Sequence, residues 1–191
     1  MNPIARIIEL RVFTLYSNFP ILKTYMRNLW AIAKSSEKII DTYLKDVINV
    51  TPGLPEISTG DILKIRNNVV KYKKLIYEGN GINIFQKQKT LQSNFDISKC
   101  IQIPIAKKRR IYTLPDKSKL EIAKIEVFKT KYYTVCIESE DISEFIYLYN
   151  KFKMDGLLQI ALKNTAGQVI NGYNQFIHNL TINRMPNYSV E

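Results

Sequence analysis

Leu120-Glu121-Ile122-Ala123-Lys124-Ile125-Glu126-Val127 alternates apolar and polar side chains almost strictly. That is the two-residue period of a half-buried β-strand. Lys129-Thr130-Lys131 follows as a hairpin turn, with Tyr132 to Ile137 as the returning strand. The pattern recurs upstream. Gly60-Asp61 is a turn ahead of Ile62-Leu63-Lys64-Ile65-Arg66, and Gly79-Asn80-Gly81 is a turn ahead of Ile82, Ile84 and Phe85. Ile97, Ile101, Ile103 and Ile105 alternate in part with polar residues. Several short strands within about 80 residues predict a small barrel or sandwich.

Outside this region the spacing changes. Residues 3–16 and 19–48 read as helices; in the second, Ile21, Tyr25, Leu29, Ile32, Ile39, Tyr43, Leu44 and Val47 recur mostly at three- and four-residue steps. Pro20 suits a first helical turn, and Ser35-Ser36 marks a break between two shorter helices. Thr51-Pro52-Gly53-Leu54-Pro55 ends the helix and sets a boundary. After Ser139, Glu140-Asp141 opens a stretch with Ile142, Phe145, Ile146, Leu148, Tyr149 and Phe152 at helical spacing. The expected class is therefore α+β. Residues 1–54 form a helical N-terminal extension, 55–137 an SH3-like β-barrel, and 138–191 a mostly helical C-terminal extension.

The 191-residue chain carries 28 Lys and Arg against 17 Asp and Glu, a net charge of +11. The excess is concentrated: residues 55–135 hold 17 basic and seven acidic side chains, while the net is +3 before them and −2 after them. A concentrated positive charge points to a polyanion. Lys107-Lys108-Arg109-Arg110 is the densest basic run. In a strand it would send two side chains to each face; in a loop most of the four would reach phosphates, the arginines bidentately. Lys71, Lys73 and Lys74 form a second cluster, Lys64 and Arg66 share a strand face, and Lys117, Lys119, Lys129 and Lys131 lie at expected hairpin ends. Tyr112, Tyr132 and Tyr133 could stack on bases, although buried core is their plainer role.

Other chemistries find little support. Cys100, Cys136 and the single His178 cannot supply four zinc ligands without carboxylates, and two cysteines make no disulfide framework. Asp116, Glu121 and Lys124 faintly suggest a metal-dependent nuclease, but Glu121 and Lys124 would lie on opposite strand faces. No glycine loop of the phosphate-cradling type is present. No apolar run reaches transmembrane length, and Met1 to Phe13 makes a poor transit peptide. On these grounds no catalytic residue, metal or cofactor is expected.

Five central elements carry a resemblance. They are Pro55-Glu56 with Gly60-Asp61 and Ile62 to Arg66; Lys74-Leu75-Ile76-Tyr77-Glu78-Gly79 followed by Ile82 to Gln86; Phe95-Asp96-Ile97-Ser98-Lys99; Arg110-Ile111-Tyr112-Thr113-Leu114-Pro115; and Ile122 to Val127. Their order and spacing resemble bacterial-type large-subunit ribosomal protein 19. Two departures stand out: the family's basic hairpin is reduced to Lys129 and Lys131 ahead of Tyr132 and Tyr133, and its basic tail is replaced by Glu138, Glu140 and Asp141. The resemblance implies a non-enzymatic constituent of the large ribosomal subunit near the subunit interface, without a membrane span. Its partners would be large-subunit rRNA, neighbouring ribosomal proteins and a bridge toward small-subunit rRNA. The drift and the extra segments point to a mitochondrial ribosome, with a bacterial-type cytoplasmic ribosome as the alternative. The expected RNA contacts are Lys64, Arg66, Lys71, Lys73, Lys74, Lys99, Lys107, Lys108, Arg109, Arg110, Lys117, Lys119, Lys129 and Lys131. The rival reading is an SH3-like barrel protein of a viral or phage assembly.

Overall fold

Arg6 to Leu15 is mostly isoleucine, leucine, valine and phenylalanine, and past Arg6 the apolar run is interrupted by Glu9, Arg11 and Thr14. It forms a strand, β1 (Arg6–Leu15), buried on both faces: Ile7 and Leu10 are both fully inaccessible. A strand with no solvent-facing side loses its two-residue contrast. Its two charges then mimic the polar positions of an amphipathic helix, which explains the helix expected over 3–16. The helix expected over 19–48 is overturned in the same way over its last third, where β2 (Ser35–Lys45) is a strand. Ser35-Ser36, read as a helix break, is where that strand begins.

The computed structural model describes residues 5–16, 27, 35–45, 58, 60–87, 98, 100–114, 117–163, 169–170 and 172–182. The boundary expected at Thr51 to Pro55 lies outside them. The chain continues through β3 (Ile62–Arg66), β4 (Val69–Gly79), β5 (Ile82–Lys87), β6 (Ile101–Thr113), β7 (Lys119–Val127) and β8 (Thr130–Ser139). Then come α1 (Ile142–Lys151), α2 (Met154–Lys163), the two-residue β9 (Val169–Ile170) and α3 (Tyr173–Ile182).

The strands are ordered β5-β4-β3-β2-β6-β7-β8-β1, all antiparallel, and β1 also pairs with β5. The pairings Ile7↔Phe85 and Leu10↔Ile82 therefore close the sheet into an eight-stranded barrel. Past the end of β5, β9 takes its place beside Val12 and Phe13. Three two-residue hairpins are set locally: Asn67-Asn68, Asn80-Gly81 and Phe128-Lys129 all have positive φ at both positions. Such turns match the right-handed twist of the flanking strands. The last hairpin falls one residue earlier than the sequence predicted, so Thr130 and Lys131 belong to β8.

This architecture corrects the expected fold class. The strand set is not a small SH3-like barrel flanked by helical extensions: β1 and β2, from the supposed N-terminal extension, are staves of the barrel itself. The helix expected after Glu140-Asp141 is present as α1, but it packs on the barrel. Leu120 and Ile122 of β7 and Val135 and Ile137 of β8 point outward, into an apolar layer with Phe145, Leu148, Phe152 and Leu157 of α1, α2 and the turn between them. Asp141 caps α1 by accepting from the amides of Ser143 at 2.8 Å and Glu144 at 3.0 Å. Asp141→Ala is expected to cost about 1 kcal/mol, read as a lower urea midpoint with an unchanged slope.

Inside the barrel, one end is filled with side chains. Phe13 stacks on Phe176 of α3 at 4.0 Å and meets the Tyr173 ring edge-on at 5.0 Å, while Tyr132 packs edge-on against Phe176 at 5.0 Å. Ile103, Ile105, Ile125 and Val127 complete this plug. The other end is different.

A charged tunnel as candidate functional site

Along β6 the inward positions run Ile103, Ile105, Lys107, Arg109. Two are apolar and meet the plug; the next two are cations that reach a cavity of about 320 Å³. The basic run is therefore a strand split between faces: Lys107 and Arg109 point inward, Lys108 and Arg110 outward. The same alternation brings in Glu9 and Arg11 from β1, Lys64 and Arg66 from β3, and Lys71 and Lys73 from β4. Lys87, Lys119, Glu121 and Glu138 complete the charged lining. Nine cationic side chains thus line the cavity, against the carboxylates of Glu9, Glu121, Glu138 and the buried Asp41.

Asp41 is the electrostatic centre of one wall. Fully inaccessible, it accepts from Arg66 Nε at 2.5 Å and Nη2 at 2.7 Å, and from Lys64 Nζ at 3.0 Å. Lys107 Nζ lies 2.7 Å from the same carboxylate, donates to Tyr43 Oη at 2.9 Å and sits 3.8 Å from the centre of the Tyr173 ring. On the opposite wall Arg11 bridges Glu9 at 3.0 Å and Glu121 at 2.9 Å. Arg109 also reaches Glu121, at 2.6 Å, and pairs with Glu37 at the rim. Lys73 lies 3.3 Å from Glu9 and 3.7 Å from Glu138, and Lys119 lies 3.2 Å from Glu138. Every carboxylate in the tunnel wall thus contacts two or more cations.

The titration behaviour follows from this crowding. Burial pushes Lys64 down and Arg66 and Lys73 push it further; Asp41 opposes them, and the result is lowered from 10.5 to about 8. Burial and the neighbouring Lys64 hold Lys107 well below the usual lysine value despite Asp41. Burial alone would raise the Glu9, Asp41 and Glu121 carboxyls. The adjacent guanidinium and ammonium groups outweigh it, so all three stay below the ordinary carboxylate range. A carboxylate lowered on folding stabilises the folded state above its unfolded pKa, and that contribution is lost as pH falls toward the folded value. Folding stability is therefore expected to hold from neutral pH to about 4.5 and to drop steeply below it. Urea midpoints at pH 6 and pH 3 check this; equal midpoints would contradict the tunnel ion pairs.

Seven of the fourteen expected contact residues converge on the tunnel: Lys64, Arg66, Lys71, Lys73, Lys107, Arg109 and Lys119. Lys74, Lys108 and Lys131 are solvent-exposed strand residues, Arg110 is half-buried, Lys117 lies in the β6–β7 turn, and Lys129 lies in the far hairpin. Lys99 lies outside the described residues. The sequence reading missed Glu9, Arg11, Asp41, Tyr43, Lys87 and Glu138 as site residues, and it set Glu121 aside after weighing it in a metal-dependent nuclease site. The available signal was the pair of charges, Glu9 and Arg11, set two apart in an otherwise apolar run.

No protein-family model matches the chain, and no curated protein matches it. Solved structures do. A proposed adenylyl cyclase from Hippeastrum, described as having a dominant triphosphatase activity, superposes with a TM-score of 0.52 at 14% identity, covering 92% of this chain and 95% of that one. The likeness is one of fold: the two chains share a barrel architecture over nearly their whole lengths.

Two further solved structures match with TM-scores below 0.5. The RNA triphosphatase domain of a mimivirus mRNA capping enzyme gives 0.48 at 14% identity, over 76% of this chain and 87% of that one. The PH1819 protein of Pyrococcus horikoshii gives 0.45 at 14% identity, over 90% and 99%. The closed eight-stranded barrel, and its likeness to the Hippeastrum structure, overturn the resemblance to large-subunit ribosomal protein 19 and the SH3-like viral alternative. With it go the ribosomal role, the rRNA and ribosomal-protein partners, and the expectation of a chain without catalytic function. The elements that fall on described strands matched because strand-turn-strand segments with basic positions recur among β-barrels; Phe95 to Lys99 lies almost wholly outside the described residues, and β1 and β2, staves of this barrel, lay outside the resemblance.

Proposed function

We propose that this barrel binds a linear triphosphate, either inorganic or at the end of a nucleotide, and hydrolyses its phosphoanhydride bond. One observation carries the reading: nine cationic side chains from six different strands converge on one cavity whose carboxylates are too few to neutralise them. A small surface-bound anion would not need such a cage, whereas a chain of phosphates fits it. The likeness to a fold that hosts a triphosphatase supports it.

The residues have separable roles. Lys64, Arg66, Lys73, Lys107 and Arg109 supply donors that are already oriented by ion pairs, so little reorganisation accompanies charge transfer to the leaving phosphate. The plug of Tyr173 and Phe176 closes one end, so a phosphate chain enters from the open mouth by its terminus. In the reaction a water oxygen forms a new bond to phosphorus as the bridging P–O bond breaks; the leaving phosphate carries away the electron pair, and the proton given up by the water passes to that phosphate or to solvent. Glu9, Glu138 and Cys136 offer ligand atoms that all lie within 4.8 Å of one another. The two carboxylates suit a hard divalent cation, whereas burial keeps the Cys136 thiol protonated. Such a cation would polarise a phosphoryl oxygen when bound.

The test is phosphate release from inorganic tripolyphosphate, ATP and GTP with magnesium or manganese, paired with calorimetric binding. Binding in the micromolar range and turnover are expected, and both are expected to fall at least about tenfold in Arg66→Ala. Failure of all three compounds to bind, or binding indifferent to Arg66→Ala, would remove the proposal.

A further inference from the structure

The outer half of the basic run is not used by the tunnel. Lys108 points away from the cavity, and its register neighbours are lysines on both sides: Lys38 of β2 stands directly opposite it, and so does Lys124 of β7. All three are exposed. Adjacent strands lie about 4.8 Å apart, so three like charges form a row across the barrel wall. Like charges directly opposite one another destabilise a sheet. Lys38 and Lys108 are directed to solvent, and Lys124 is exposed while reaching over a neighbouring ring.

The row ends on aromatic rings. Lys124 faces Tyr133 across the next pairing, with its Nζ 5.5 Å from that ring centre, and Tyr16 stacks on Tyr133 at 5.3 Å. Beside the row lies a groove of about 690 Å³, with Ile39, Ile40, Ala106 and Ile125 among its lining. Ile40 is 64% exposed, unusual for an isoleucine on the wall of a barrel. Lys131 adds a further cation, and Glu126 is the one acidic side chain that lines the groove among the described residues.

We infer that the Lys38–Lys108–Lys124 row and its groove dock an acidic amphipathic helix of a partner protein. Spacing and chemistry both support this occupant. Residues three and four apart on a helix have Cβ atoms about 5–6 Å apart, which matches the strand-to-strand spacing of the lysines. A helix laid across the strands would set a stripe of glutamates or aspartates on the row and an adjoining apolar stripe on Ile40 and its neighbours. Nucleic acid would use the lysines but leave the exposed isoleucine without a function. Lys107 borders both spaces, but Lys38, Lys108 and Lys124 do not line the tunnel cavity, so the ligand of the row can be tested apart from what the tunnel binds.

The experiment uses the full chain and a synthetic helical peptide of about 20 residues, long enough to hold helical structure. Glutamates occupy i, i+4, i+7 and i+11, leucines occupy the neighbouring stripe, and a control has the same composition scrambled. Anisotropy is expected to show binding of the striped peptide, roughly tenfold or more weakened in Lys108→Glu/Lys124→Glu, and regained when the peptide glutamates are replaced by lysines. Both substitutions are on exposed positions, so circular dichroism and tripolyphosphate binding by the variant are expected to match the unaltered chain. Equal binding of the scrambled peptide, or no binding of the striped one, overturns the inference. So does tighter, Lys108-dependent binding of a single-stranded oligonucleotide or of phosphatidylserine vesicles, which would assign the row to those ligands instead.

Discussion

Replacing Asp41 by alanine is expected to destabilise the folded chain by about 3–5 kcal/mol, the range for breaking a buried ion pair from one side. The carboxylate is inaccessible and is the shared partner of Lys64, Arg66 and Lys107. Its removal leaves three cations facing one another in a buried wall. Arg66 cannot shed its proton, but Lys64 and Lys107 can, and both are already depressed by burial and mutual repulsion. The variant is therefore expected to lose more stability at pH 6 than at pH 9.5. Tripolyphosphate brings back the missing negative charge. A ligand that binds only the folded state adds about 2.7 kcal/mol at a hundred times its dissociation constant, and the variant, with its greater positive excess, is expected to bind more tightly. The thermal midpoint of Asp41→Ala should thus rise more with tripolyphosphate than that of the unaltered chain. A loss under about 1 kcal/mol, within the reach of an ordinary surface substitution, or a smaller ligand-induced rise, would show that Asp41 does not balance these cations.

The second large effect is on the pH dependence of binding. Lys64 titrates at about 8 in the free protein because burial and the nearby Arg66 and Lys73 outweigh Asp41. A phosphate chain in the tunnel would favour the charged ammonium and raise that value. Between the free and bound values the complex holds one more proton than the free protein. Binding then takes up a proton there, and affinity falls with rising pH. Below about pH 8 the ammonium is already formed and this contribution is complete; above it affinity is expected to drop by up to roughly tenfold per pH unit. Lys64→Met is expected to flatten the profile between pH 8 and 9.5 and to remove the proton uptake seen calorimetrically in buffers of different ionisation enthalpy. An unchanged slope in this variant would assign the proton to another group, with Lys107 the next to examine.

The central strands and their turns were legible from residue order because they depend on neighbours in the chain. Gly60-Asp61 before β3, Asn80-Gly81 before β5 and the alternation of β7 all mark structure that local sterics and short-range hydrogen bonds select. The concentration of positive charge between residues 55 and 135 was equally plain, but it was assigned to an outer RNA-facing surface, whereas seven of the fourteen expected contact residues line the interior cavity. The reason lies in β7. Its alternation was read as apolar residues inside and polar residues outside. Instead Glu121 points into the tunnel and Ile122 points outward beneath α1 and α2. A two-residue period states which side chains share a face; it does not state which face is enclosed.

Residue order alone thus determined most of the central strand-forming segments, hairpin turns, the helix that follows Glu140-Asp141 and the sign of the charge. Only the tertiary structure decided that β1 closes against β5, that charges from distant parts of the chain meet around Asp41, and that Tyr173 and Phe176 seal one end. These depend on pairings between residues tens of positions apart, such as Ile7 with Phe85, and no local preference encodes them. Closure also inverts the usual rule of burial: a sealed sheet whose outer face is covered in part by α1 and α2 can hold its ions inside, because each buried carboxylate is matched by cations brought close by the barrel.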